Sequence, residues 1–120
     1  SFGLSKEGGS FCGETAGDGG GVCASIPALN TWVHVAFTSD GSTTARLYIN
    51  GQQVASRTLN DTIKTSNQDP TIGNNYYYNQ QFFFGLIQHA RISNIARTDF
   101  PYALVTVAPT VTVGAERPNN

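Results

Sequence analysis

Methionine is absent from these 120 residues, tryptophan occurs once, and only 12% of the chain is charged. Seven lysines and arginines stand against eight acids, a formal net charge of −1. With no basic excess and no basic stripe, the electrostatic footprint of a nucleic-acid binder is missing. No apolar run approaches the length of a membrane-crossing helix, so membrane insertion is not expected. No stretch has a convincing amphipathic-helix period, and no segment repeats. What remains is a Gly-rich chain whose polar set is dominated by Asn, Gln, Ser and Thr, the composition of an extracellular β-protein with many turns. Its length suits one domain, near the lower end for a sandwich. No signal-peptide pattern opens the chain, so export implies either a leader already removed or a longer precursor.

The residues from Thr31 to Val54 carry most of the structural information. In a first strand Val33, Val35 and Phe37 face one way, while Trp32, His34 and Ala36 face the other. Asp40-Gly41 is a strong turn pair. A second strand from Ala45 to Ile49 sets Leu47 and Ile49 against Arg46 and Tyr48. Asn50-Gly51 then supplies the positive φ of a type I′ reversal into Gln53-Val54-Ala55. Upstream, a strand near Phe2–Leu4 precedes a hairpin of Ser10–Glu14 with Gly21–Ser25. Downstream, residues 60–70 read as a polar crossing loop, and Thr71–Gly73 as a short strand. Phe82–Ile92 reads as a long strand, with Phe84, Leu86, Gln88, Ala90 and Ile92 alternating against Phe83, Gly85, Ile87, His89 and Arg91. Ser93–Phe100 reads as a turn or helix-like stub.

The run W-x-H-V-A-x-x-x-D-G-S from Trp32, followed by R-L-Y-I-N-G-Q-x-V-A from Arg46, resembles the laminin-G-like branch of the concanavalin A-like lectin and glucanase superfamily. Thr71-Ile72-Gly73-Asn74-Asn75 is similar to the family's "I-G" strand and loop. Phe84 to Asn94 is similar to its F-x-G-x-I-D-E-V-R-I-Y-N segment. The likeness covers roughly residues 1 to 100, in family order. It implies an all-β fold, an antiparallel jelly-roll β-sandwich of concanavalin A-like type, with residues 1–102 as the domain and 103–120 as a β-prone tail or linker. It also implies that the chain opens at the family's third or fourth strand. The expected core is Trp32, Phe37, Leu47, Ile49, Phe84 and Ile87.

Cys12 and Cys23 flank a Gly-rich decapeptide. If Gly17-Asp18 is a hairpin tip, the two lie directly opposite one another, close enough for a disulfide at a non-hydrogen-bonded pair. Such a bridge implies an oxidising compartment, outside the cell or at its surface; the alternative is two half-buried free thiols. Asn60-Asp61-Thr62 is a glycosylation sequon if the source glycosylates. The tail from Ala103 to Val113 reads either as a linker interrupted by Pro109 or as a strand that pairs with an uncovered sheet edge. The second option means self-association when the edge belongs to a neighbour.

Catalysis finds little support. Retaining glucanases of the superfamily aim two carboxylates into one groove from alternate strand positions. Among Glu7, Glu14, Asp18, Asp40, Asp61, Asp69, Asp99 and Glu116, no pair has that spacing, so the chain is read as no enzyme. His34 and His89 have no Cys, Asp or third His at ligand spacing, and no metal site is assigned. No cofactor is required. Calcium, common in the family, remains open through the loop acids Asp18, Asp61 and Asp69. His89 stands where the family carries an acid, which weakens that inference.

The best recognition element is the loop Asn74, Asn75, Tyr76, Tyr77, Tyr78 and Asn79. Aromatic rings beside amide donors suit the apolar faces and hydroxyl edges of sugars, and equally suit a protein partner. Packing over the end of a sheet is the third option. The chain is therefore expected to be a secreted or cell-surface binding or adhesion module for a glycan or an extracellular protein. A structural subunit of a filament or virion joined by strand sharing, or an accessory piece of a larger polysaccharide-active enzyme, are the alternatives.

Overall fold

The computed structural model describes residues 2–17, 20–65, 67–74 and 81–101. Six strands form two three-stranded antiparallel sheets, with no helix among the described residues. Strands β1 (Phe2–Glu7), β2 (Ser10–Thr15) and β3 (Gly21–Ser25) make one meander. Strands β4 (Val35–Ser39), β5 (Thr44–Ile49) and β6 (Gln52–Thr58) make the other.

Each reversal is set by its own residues. Between β5 and β6, Asn50 and Gly51 take φ values of 49° and 81°, the two positive angles a type I′ turn requires, and Ile49 faces Gln52 across them. The Asn50 side chain also acts. Its Oδ1 accepts from the His34 backbone amide at 3.0 Å while the Asn50 backbone N–H donates to the His34 carbonyl at 2.8 Å, anchoring the residue before β4. Between β4 and β5, Asp40 Oδ1 accepts from the amides of Ser42, Thr43 and Thr44, and Oδ2 accepts from the Thr43 hydroxyl. A bulge at Leu47/Tyr48 leaves Val54 as the extra residue of β6, where it is exposed.

The sheets pack face to face, β3 against β5 and β6, and β2 against β5. Val22, Ala45, Leu47 and Leu59 are buried between them, flanked by Phe11, Ala24, Val35, Phe37 and Ala55. Leu47 is fully buried. Gly13, in the middle of β2, lies under the Phe37 ring, and a Cβ at that position would overlap the ring. The absence of a side chain at Gly13 thus lets the two sheets close around Phe37.

Several sequence expectations are corrected. Neither Thr71–Gly73 nor Phe82–Ile92 is a strand. Among the described residues a single antiparallel bridge, Asn74 with Phe82, is the strand pairing there. Phe84 is 96% exposed and Ile87 49% exposed, so neither belongs to the core. Alternation prepares a segment for pairing, but a strand persists only beside a partner, and no edge of either sheet receives this one. His89 also takes φ of 55°, which interrupts an extended backbone. Ser93–Phe100 has no helical turn. Trp32, expected in the core, is only half-buried and precedes β4.

Candidate ligand-contact loop and its surroundings

Gly73 adopts φ of 79°, and its carbonyl accepts from the Phe83 amide at 2.9 Å. Thr71 Oγ1 donates to the Asn74 carbonyl at 2.7 Å. With the Asn74–Phe82 bridge, these contacts clamp the two ends of the segment 75–80 into a stem. Asn74 is half-buried, and its Oδ1 is buried without a hydrogen bond among the described residues. Beyond the stem Phe82 is 56% exposed, and exposed Phe84, Leu86, Ile87, Ile92 and Ile95 follow it along the chain. Of the loop named from the sequence, Asn74 is therefore placed. Asn75, Tyr76, Tyr77, Tyr78 and Asn79 lie outside the described residues.

Cys12 and Cys23 are joined, as the hairpin register implied. They are direct partners across β2 and β3, with Cα atoms 4.1 Å apart. Near the tip of that hairpin a shallow cleft is lined by Glu14, Thr15, Ala16, Gly17 and Gly20. The Arg57 guanidinium lies over Gly20 and the Lys64 stem over Gly17.

Among the described residues the acids do not gather. Asp61 is held by Lys64 at 3.1 Å and accepts from the Thr62 amide at 2.8 Å. The hydrogen bond from Lys64, then that amide, depress its carboxyl below the usual range. Asp40 is depressed further, first by the Thr43 hydroxyl and then by the backbone amides of its turn. Among the described residues no three His, Cys, Asp or Glu side chains come together as a metal cluster. Asp61 already accepts from protein donors, and Asp18 lies outside the described residues.

An aromatic cluster on the outer face of the second sheet was not anticipated. Tyr48, turned away from the core by the strand alternation, is nonetheless buried. The Phe100 ring covers it, with centroids 4.9 Å apart, and also lies 5.4 Å from the His34 ring. His34 Nδ1 is buried and makes no hydrogen bond among the described residues. Alternation already put His34 and Tyr48 on one face, but nothing in the local sequence marks Phe100 as the residue that closes over them.

Among curated proteins and among solved structures the comparison finds no match. The profile of the concanavalin A-like lectin/glucanases superfamily, in its laminin-G-type form, matches residues 2–99. Two antiparallel sheets packed on a shared core, the two hairpin turns of the second sheet, and a match over most of the chain together place this protein in the concanavalin A-like lectin/glucanase superfamily as a laminin-G-like domain.

Proposed function

We propose that the chain is a non-catalytic binding module, secreted or displayed on a surface, that contacts a glycan or an extracellular protein through the loop 74–79. The observation that carries this reading is the stem. Asn74 and Phe82 are pinned together, a buried amide oxygen has no hydrogen bond among the described residues, and exposed apolar side chains follow along the chain. Exposed apolar side chains that gather into a patch mark interaction sites. The Cys12–Cys23 bridge supports an oxidising compartment. The scattered carboxylates supply no paired acid and base, which favours contact over hydrolysis. We assign no required cofactor; a loss of binding on chelation would instead reveal a role for calcium at Asp18, Asp61 or Asp69.

The test is a glycan array and a panel of matrix proteins probed with the intact chain and with Tyr76, Tyr77 and Tyr78 all changed to Ser. Binding that the triple variant loses, with unchanged thermal unfolding, supports the reading. An intact chain that binds nothing refutes it.

A second reading has its own observation. Phe82–Ile92 has strand alternation but no ladder, and β1, at the edge of its sheet, exposes Phe2 and Leu4. A structural subunit that shares strands, with residues 103–113 as the donated segment, would use such surfaces. Size-exclusion chromatography with and without residues 103–120 decides it: equal monomers rule it out.

A further inference from the structure

The cluster around Phe100 takes no part in the proposed contact loop, yet it fastens the last described segment to the second sheet. We propose that His34 and Phe100 form a pH-sensitive latch, closed while the imidazole is neutral and opened by its protonation. Three features of geometry carry this. The backbone of His34 is fixed from both sides by Asn50, so the ring cannot leave by shifting the chain. The ring meets Phe100, which in turn seals Tyr48. Nδ1 is buried and makes no hydrogen bond among the described residues. In the neutral ring the proton resides on the other nitrogen and Nδ1 needs no acceptor, whereas the imidazolium carries a proton there that must find one. A buried donor without a partner favours any rearrangement that wets it. Unseating Phe100 is the nearest such movement, because it uncovers His34 without disturbing the core between the sheets.

The charged groups on the packed elements do not relieve this. Tyr48 and Arg46 lie on the outer side of β5, and Asp99 and Arg97 precede Phe100, with Arg97 Nε donating to Ser93 Oγ at 2.9 Å. Burial is the one cause that moves His34, and it lowers its proton affinity below the ordinary value of 6.5. A depressed histidine stabilises the closed form fully above that value and progressively less as pH falls beneath it. Between the open and closed affinities, the open fraction rises by up to roughly tenfold per pH unit.

The test is nuclear magnetic resonance of the labelled full chain, titrated from neutral to mildly acidic pH, with Phe100→Ala defining the open positions. The expected result is a reversible movement of the Tyr48 ring and the amides of residues 97–100 toward the Phe100→Ala positions, while the Leu47 methyls stay fixed. His34→Gln abolishes that movement, and His89→Gln, at an exposed site, keeps it. The latch is overturned if wild-type signals stay put, or if they move away from the open positions as a tightened cation–π contact would require. Movement of Leu47 in the same window, meaning general unfolding, overturns it too. Should His34→Gln fail to fold, the wild-type titration against Phe100→Ala decides alone.

Discussion

In residues 2–59 every strand lies beside at least one neighbour, and the side chains of two sheets close on a common core. Residues 81–101 instead meet the rest of the described structure chiefly through the Asn74–Phe82 bridge, the Phe83–Gly73 hydrogen bond and the Phe100 ring, with Phe84, Ile92 and Ile95 left in solvent. Both regions have alternating apolar residues. Within each sheet of the first, turns hold every strand against the one before it, so every pairing is local and cheap in loop-closure entropy. The second would have to find a partner far along the chain. The difference shows that alternation specifies which face a strand will bury, and only a neighbour decides that there is a strand.

That contrast can be broken most sharply at Leu47. Its truncation to Ala should lower stability by about 2–5 kcal/mol, read from the denaturation midpoint, because the side chain is wholly enclosed. A loss under about 1 kcal/mol would mean that the two sheets do not share this core. Reduction of Cys12–Cys23 should cost about 2–3 kcal/mol by freeing the short loop in the unfolded chain, checked by unfolding with and without reductant. Gly13→Ala should cost about 1–3 kcal/mol, since the new methyl must displace the Phe37 ring between the sheets. If it is neutral, the close approach of Phe37 is not needed.

Smaller effects come from the surface. The depressed carboxyl of Asp40 stabilises the folded state above its ordinary value of 3.8, and that contribution is lost as pH falls below it. Asp40→Ala should therefore flatten the acid limb of the stability curve, and an unchanged limb would remove the turn from the account. Phe84→Ser should shift stability by no more than about 0.5 kcal/mol, because the ring is almost fully in water. A large loss there would mean that the segment packs after all, and would erase the distinction between the two regions.

How much was readable in advance follows the same division. Asn50-Gly51 and Asp40-Gly41 announced their turns because positive φ and side-chain capping are properties of the residues themselves. The disulfide was readable because a tight hairpin fixes which residues face each other. Leu47 and Ile49 fell in the core as the period-2 pattern required, and Phe37 packs against it. Phe84 and Ile87 obey the same pattern and lie outside, since burial depends on what covers a face. Of the contact loop, the sequence supplied the residues and the structure added the stem at Asn74 and Phe82. The Phe100 cover over Tyr48 and His34 had no sequence signal, because it joins residues about fifty positions or more apart in the chain.

Short-range chemistry alone, then, settled the reversals, the cysteine pairing and the side each residue of β4 and β5 presents, because these depend on dihedral preferences and nearest partners. Which apolar residues escape water, which edge stays unpaired, and that a histidine ring ends up against a distant phenylalanine were decided only when the sheets came together. Those outcomes are sums over contacts between remote parts of the chain, and no local stretch of sequence contains them.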